Sequence, residues 1–395
     1  MRFVHASDAH LGYSQYNLLE RRQDFMKAFG EFIDKTIECS PDFVIFAGDL
    51  FNDPHPSNVV LGSAIELIDR IKAPFLVVPG SHDNVYSALV GTVLGPLHRG
   101  GHIRYLPIKP YAKGDVYVYG MTNFRRRLDF ERSKDEYFER HPPTPKRKYN
   151  IFVLHQGVDF PDLKFHRSAV EMLPEELPKG FQYYASGHLH MPTYFKFNDG
   201  LFAYSGGLET FEFTQYNNEK GFYLVEVGAD GQANVQHKKL TCRRRFNIVE
   251  EDFTGLRSPE IEEKAQALVS KADEEGVIVT LVLNGTLPRG VFRSDINYGS
   301  IKGSASKALY VHLVNRLKTP EETPGPIAIA SAETLYSKAE KKLREYYAGS
   351  FRERSQDYAV LTVELVKTLS DETVRAAERK RAADKKIDDF YKEGQ

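Results

Sequence analysis

Five short segments of this chain carry side chains that bind metal ions: "SDAH" with Asp8 and His10, "AGD" with Asp49, "GSHD" with His82 and Asp83, "LHQG" with His155, and "GHLH" with His188 and His190. A mixed carboxylate and imidazole set suits Mn, Fe or Zn better than Mg or Ca. A carboxylate shared by two cations lets them sit about 3.5–4 Å apart, as two-metal phosphoryl chemistry requires. Side chains at i and i+2 of a strand point the same way. Asp8 with His10, and His188 with His190, are therefore each expected to offer two ligands to one place if strand geometry carries that far. A single histidine at a strand end is most often a packing or surface residue, and His5, His98, His102, His166 and His312 are assigned to that class. Five ligand-bearing segments in one chain are not explained that way. Neither Cys39 nor Cys242 lies in these motifs, and no G-x-S-x-G elbow occurs, so nothing here looks like a covalent nucleophile.

The elements that must position these residues alternate between strand and helix. Arg2 to Ser7, "DFVIFAGD" and "APFLVVPG" are apolar runs. Asn17 to Glu38 is helical, with Phe25, Phe29, Phe32 and Ile33 at three- and four-residue spacing. Ser57 fits an N-cap for a helix carrying Leu61, Ile65 and Ile68. Continuous apolar strands between helices predict a sheet covered on both faces, and in such sheets ligands gather at the carboxyl ends of strands. "DVYVYGM", "NIFVLH", "FQYYASG", "TYFKF", "LFAYSG" and "GFYLVEV" add further strands, with hairpin turns at "FNDGLF" and "VGADGQA". The pattern restarts near Arg244 with strands "RFNIVEE", "VIVTLVLNG" and "ALYVHLV", and a helix expected to start with Ser258 as cap before Pro259. "TPEETPGPIA" is a Pro-rich linker, and Ser331 to Gln395 is charged and helical.

Composition bounds the partners. The 395 residues are 41% hydrophobic and 27% charged, with a net charge of −1, which fits a globular protein of two or three domains. Near-neutral charge gives no global argument for nucleic acid, so any such role rests on local patches. Two distant cysteines indicate a reducing compartment without a disulfide framework. No apolar run reaches the roughly 20 residues of a membrane helix, and "MRFVHASD" lacks the basic and apolar regions of a signal peptide. The expectation is a soluble, intracellular, cytoplasmic protein with no membrane contact.

The order D-x-H, G-D, G-x-H-D, H, G-H-x-H resembles the calcineurin-like metallophosphoesterases. The strings "SDAHLGYSQYN...RRQDFMKAF", "AGDLFNDPHPSN", "LHQGV", "LPKGFQYYASGHLH" and "YSGGLE" are more closely similar to the Mre11/SbcD type of DNA double-strand-break nuclease. This resemblance covers nearly all of residues 1–240; residues 244–318 match the family's capping domain in layout, and the tail matches its Rad50-binding helices in position and helical character. It implies an α/β fold: a metallophosphoesterase β-sandwich flanked by helices (1–240), a small α/β capping, DNA-binding domain (244–318), a linker (319–330) and a helical partner region (331–395).

The resemblance also implies roles. Asp8, His10, Asp49 and His190 would hold a first Mn2+, and Asp49, bridging, would hold a second with His155 and His188. His82 would face the scissile phosphate and assist the leaving oxygen, with Asp83 orienting it. Two positions depart from the family: Ser81 stands where relatives place a metal-binding asparagine, and Asn52 where many place a histidine. A serine oxygen is short and a weaker donor to a cation than an amide carbonyl, so the second metal is expected to bind weakly. The implied activity is 3'→5' exonuclease on duplex ends and endonuclease on single-stranded DNA.

Tyr13 and Tyr16 follow the first ligand loop and could touch sugar or base, or simply pack the loop. Basic clusters at Arg125-Arg126-Arg127, Lys146-Arg147-Lys148 and Arg243-Arg244-Arg245 could contact phosphates, or be solvated surface. Leu89, Val93 and Leu97 form one helical stripe, and Leu61, Ile65 and Ile68 another. Core packing explains both equally well; the family implies a homodimer through helices near 57–71 and 86–98. In the tail, Leu335, Ala339, Leu343 and Tyr347, then Ile387, Phe390 and Tyr391, suit a partner such as a Rad50-like ATPase. Two other readings stay open: a phosphatase or phosphodiesterase of small substrates, and a catalytically weakened DNA-end scaffold motivated by Ser81.

Overall fold

A computed structural model describes residues 1–84, 91–143, 149–161, 163, 170–319, 332–351, 354–370 and 376–392. Leu89, Lys146 to Lys148, His166 and all but Thr319 of the linker lie outside the described residues.

The chain opens with β1 (Arg2–Ala6), α1 (Leu19–Cys39), β2 (Phe43–Ala47), α2 (Asn58–Ile68), β3 (Phe75–Val78), α3 (Leu94–Arg99) and β4 (Arg104–Tyr105). It continues through β5 (Tyr111–Lys113), β6 (Val116–Gly120), α4 (Arg127–Arg140), β7 (Tyr149–His155) and β8 (Tyr183–Gly187). Two hairpin-linked pairs follow, β9 (Thr193–Phe197) with β10 (Gly200–Tyr204), and β11 (Gly221–Val227) with β12 (Ala233–Lys239). The strands form two six-stranded sheets, ordered β12-β11-β1-β2-β3-β4 and β5-β6-β7-β8-β10-β9.

Period-two alternation builds the layers. Phe3, Phe43, Ile45, Leu76 and Val78 point inward and meet Val118, Ile151, Val153, Tyr183 and Ala203 of the second sheet. Their neighbours Val4, Val44, Phe46 and Val77 turn outward onto Phe29, Phe32 and Ile33 of α1 and Val60 and Ile68 of α2. The outer face of the second sheet packs Phe152, Tyr184 and Phe202 with Phe130 and Tyr137 of α4. Each large apolar side chain so buried contributes about 1.5–3 kcal/mol. Helices thus flank a two-sheet sandwich, as the sequence implies.

Several details differ from expectation. Asn17 falls in a separate 3-10 turn, and α1 starts only at Leu19. Ser57 does cap α2, accepting from the Val60 amide. Ser258 is not a cap but the first helical residue; Arg257 precedes it, and the Glu260 carboxylate accepts the Arg257 amide. Leu97 and Ile68 are only 2% exposed within the single chain, so core packing accounts for those two positions. Leu61, Ile65 and Val93 pack partly buried on the same core. On α2 the exposed apolar side chain is instead Val59.

A third sheet follows: β13 (Phe246–Asp252), α5 (Ser258–Lys271), β14 (Ile278–Asn284), α6 (Tyr298–Lys302) and β15 (Tyr310–Asn315), with all three strands parallel. Residues 1–284 and 293–316 form one compact unit, and 285–292 with 317–395 another. Within the first unit, a polar network joins the sandwich to the third sheet. Arg21, fully buried, donates to Gln15 Oε1 (2.9 Å), Asp24 Oδ2 (2.7 Å) and the Thr210 carbonyl (2.8 Å). The Arg244 guanidinium donates to both carboxylate oxygens of Asp24, at 2.8 and 2.6 Å. Arg243 and Arg245 are likewise bonded, to Tyr216 and Asn218 carbonyls and to Glu274, so this basic cluster serves internal structure.

The second unit contains α7 (Ala332–Phe351), α8 (Ser355–Ser370) and α9 (Ala376–Lys392). Ala359, Val363 and Ala383 are buried, while Tyr346, Val366, Leu369 and Tyr391 remain exposed. Ala339 is exposed, and Leu343 and Tyr347 are half-buried. No described helix is long and apolar enough to cross a membrane.

Candidate metal centre

The strand ends deliver the ligand segments to one place, but not by strand alternation. β1 stops at Ala6 and β8 at Gly187, before the expected pairs begin. Instead the backbone turns sharply. Asp8 (φ 55°), His10 (φ 44°), Asp49 (φ 51°) and His188 (φ 88°) all adopt left-handed conformations, half of the non-glycine residues that do so among those described. Such strain persists only where surrounding structure enforces it, and it concentrates at functional sites. Because each turn re-aims its side chain, His188 and His190 diverge. The His190 ring lies 5.0 Å from that of His10, and the His188 ring 5.3 Å from that of His155.

Close backbone approach helps. A methyl group on Gly80 would overlap the Asp49 side chain and amide, and one on Gly48 (φ 90°) would overlap the His155 ring. Only glycine lets these loops close on one another.

Ligand atoms of Asp8, His10 and His190 lie within 4.8 Å of one another, as do those of Asp8, Asp49 and His155, and those of His10, Asp49 and His82. Among the described residues, the ion-pair partners of Asp8 and Asp49 are all histidines. The His155 Nδ1–H donates to the Ala47 carbonyl at 2.7 Å, which turns Nε2 toward Asp49 Oδ2 at 3.2 Å. His10 Nε2 and His190 Nε2 face each other at 3.1 Å, with Asp8 Oδ1 3.4 Å from the latter. Among the described residues, the buried His188 Nε2 has no hydrogen-bond partner. Lone pairs that converge in this way, with no ammonium or guanidinium group paired to either carboxylate among the described residues, fit divalent cations.

The electrostatics agree. Burial would raise the Asp8 carboxyl, but His190 and His155 outweigh it and hold it down at about 2. Asp49 is also held below the carboxylate range: burial is outweighed, chiefly by His155. Burial pushes His10 down to about 3, and burial, helped by the charge of His155, also lowers His188. His155 itself is raised to about 10, because Asp49 and Asp8 overcome the effect of burial. A cation binding at His155 would therefore compete with a proton.

His82 rests edge-on against His10, with ring centroids 4.8 Å apart. Its amide donates to Asp49 Oδ1 (2.8 Å), and its Nδ1 lies 3.2 Å from the Asn52 carbonyl. Asp83, which the resemblance gives the role of orienting His82, makes its hydrogen bonds to backbone amides of the two adjoining loops. Its carboxylate accepts from the Gly80, Leu50 and Phe51 amides, at 2.7, 2.7 and 3.2 Å. It ties the His82 loop to the Asp49 loop, and the Asn52 carbonyl holds the ring. Burial, then the charge of Asp49, pushes Asp83 up to about 7. The Ser81 hydroxyl lies 3.4 Å from Asp49 Oδ2, at the rim of the cluster.

Tyr13 stacks on Phe211 at 4.4 Å, and Phe211 lies 4.4 Å from the His10 ring. Tyr16 turns away: it stacks on Tyr310 at 4.7 Å and its hydroxyl meets His312 Nδ1 at 3.2 Å, which is the packing role. Arg125, Arg126 and Arg127 are exposed at the start of α4, and Arg127 pairs with Glu176 at 2.7 Å. His5, His98 and His102 bond to Tyr183, the Ile103 carbonyl and Asp69, outside the ligand groups.

The sequence reading missed Phe211, Gln215, Glu209 and Arg21. Arg21 was detectable in principle: it occupies the apolar stripe of Phe25, Phe29 and Phe32, where a charge demands partners. Phe211 and Gln215 have no such marker, since their contacts come from a loop 20 or more residues past the last ligand.

Comparison with known proteins accords with this geometry. The calcineurin-like phosphoesterase family profile matches residues 1–192. The DNA double-strand break repair protein Mre11 of Methanococcus maripaludis is 31% identical over 259 residues, covering 62% of this chain and 68% of the relative. That of Archaeoglobus fulgidus is 31% identical over 71% of this chain and 67% of its own. That of Saccharolobus solfataricus is 27% identical over 406 aligned residues, spanning 95% of this chain and 97% of its own. With ligand-bearing turns at the ends of a phosphoesterase sandwich, and relatives matched along this much of their length, the chain belongs to the Mre11 family of DNA double-strand break repair proteins.

Proposed function

We propose that this protein is a two-metal DNA nuclease that processes double-strand breaks, as a 3'→5' exonuclease on duplex ends and an endonuclease on single strands. Asp8, His10, Asp49 and His190 would hold a first Mn2+, and Asp49, His155 and His188 a second, with Ser81 where relatives place a further ligand. The observation that carries this reading is the convergence of His10, His190 and His155 ring nitrogens on the Asp8 and Asp49 carboxylates, at 3.2 to 3.9 Å. When bound, the cations would offset phosphodiester charge and bring an attacking water into ionisation range near neutral pH.

The chain's own groups do the rest. Asp8 and Asp49, held ionised, fix the charge of the centre. His82, with Nδ1 donating to the Asn52 carbonyl, presents Nε2 to the substrate. Protonated there, it gives a proton or hydrogen bond to the departing oxygen as the phosphorus–oxygen bond breaks. Phosphate contacts for the DNA fall to exposed Arg125 and Arg126, with Tyr13 nearer the site.

Labelled duplex and single-stranded DNA, incubated with Mn2+, Mg2+ or chelator, test the reading. Metal-dependent cleavage from 3' ends and within single strands is expected; hydrolysis of small phosphodiesters without DNA cleavage would replace it. The tail would bind a Rad50-like ATPase through faces carrying Val366, Leu369 and Tyr391, and deleting 331–395 should abolish copurification while sparing cleavage of short DNA. A homodimer would form through the α2 region, where Val59 is exposed; a monomer by light scattering removes it.

A further inference from the structure

We infer that Gln215 is a positioning residue for the metal centre, fixing His190 so that Nε2 rather than Nδ1 meets the cation. The inference rests on the metal-binding reading above and names a residue outside the ligand motifs.

An imidazole on a short loop has two nitrogens to offer, and turning the ring over exchanges them. Gln215 Oε1 lies 3.0 Å from His190 Nδ1 and accepts its hydrogen. A neutral ring pinned in this way carries its lone pair on Nε2, the atom 3.4 Å from Asp8 Oδ1 and 3.1 Å from His10 Nε2. An acceptor behind a ligating histidine also raises its basicity toward the metal.

Gln215 is itself held from a fixed backbone. It ends a 3-10 turn (Phe213–Gln215), and its amide donates to the Glu212 carbonyl at 3.0 Å. The Phe213 ring meets His312 of β15 at 5.3 Å. Upstream, the Phe211 and Thr210 carbonyls accept from Gln15 and Arg21, each at 2.8 Å. The third sheet and the buried Arg21 network therefore set where the amide oxygen stands. Phe211 packs against the His190 ring, with centroids 5.4 Å apart, so losing the hydrogen bond alone leaves the ring covered.

The test is calorimetric Mn2+ titration of the full chain as wild type, Gln215→Leu and Gln215→Glu, with thermal unfolding in chelator alongside. Leucine keeps the bulk and removes the acceptor; glutamate keeps an acceptor and strengthens it. Gln215→Leu should weaken the tighter Mn2+ site about 10- to 100-fold, with unfolding in chelator unchanged. Gln215→Glu should bind at least as tightly as wild type. Equal affinity in wild type and Gln215→Leu overturns the assignment and leaves the metal centre standing. So does an equal loss in both variants, or a matching fall in their melting points, either of which makes Gln215 a packing residue. A wild type that takes up no Mn2+ overturns the metal-centre reading and this inference with it.

Discussion

Replacing Arg21 with alanine should unfold this protein far more readily than its distance from the ligand atoms suggests. The guanidinium is fully buried, makes three hydrogen bonds of 2.7 to 2.9 Å, and lies 3.5 Å from Glu209 Oε1. Asp24 would keep Arg244 as a partner, but Glu209, equally buried, would lose its nearest cation. Burial already pushes the Glu209 carboxyl up, and Arg21 is the main opposing influence. Removing one partner of a buried ion pair costs about 3–5 kcal/mol. At about 2–4 °C per kcal/mol for a unit of this size, the melting point should fall by roughly 6–20 °C. Arg21→Lys should recover less than half, because an ammonium cannot span three directions at once. Calorimetry in chelator measures this without interference from bound metal. A parallel Mn2+ titration should show weakened binding, since Thr210 and Phe211 lose their anchor beside His10 and His190. An alanine variant melting within about 2 °C of wild type would refute the argument, as would full rescue by lysine.

The remaining predictions concern the site and its acid stability. His82→Ala should retain Mn2+ binding and lose cleavage by about 10²- to 10⁴-fold; undiminished cleavage removes His82 from the mechanism. Ser81→Asn should place an amide carbonyl beside Asp49 and tighten the second Mn2+ on the order of tenfold, about 1.4 kcal/mol, with a faster rate at low metal; if neither affinity nor rate moves, Ser81 is not a weak point. Burial would raise the Glu31 carboxyl, but hydrogen bonds from the Cys242 thiol, the Thr241 and Cys242 amides and the Thr241 hydroxyl outweigh it and lower the carboxyl from 4.5 to about 2. Its folded value lies below its unfolded one, so its stabilisation is present above pH 4.5 and lost as pH falls through about 2. Glu31→Gln should therefore trail wild type by a constant margin at neutral pH, and the margin should close between those limits; a margin independent of pH would exclude the linkage.

Much of the fold was legible in the sequence because its strands alternate or run fully apolar. "DFVIFAGD" and "APFLVVPG" became β2 and β3, buried on both faces. The hairpin turns at "FNDGLF" and "VGADGQA" joined the strand pairs that flank them. The residues that gather at the candidate metal centre were legible by type and by their place after strands. How they meet was not, since left-handed turns at Asp8, His10, Asp49 and His188 replace the alternation that was expected. Asp83 illustrates a second limit: the resemblance implies that it orients His82, but that its carboxylate accepts three backbone amides is not written in the sequence. Arg21 stands out as a charge on an apolar stripe, but its partner Glu209 lies 188 positions away, and no local pattern announces that partner or the contact of Gln215 with His190.

The ligand groups have one further property. Asp8, His10 and Asp49 follow strands of the first sheet, whereas His155, His188 and His190 end or follow strands of the second. Each ion would thus rivet the two leaves of the sandwich together at their common edge. Thermal stability then becomes a gauge of free metal, rising by about 2.7 kcal/mol at a hundredfold excess over the dissociation constant. Starvation for metal would do more than idle the enzyme: it would open the seam between the leaves, and chelation would shorten the lifetime of the protein as well as its activity.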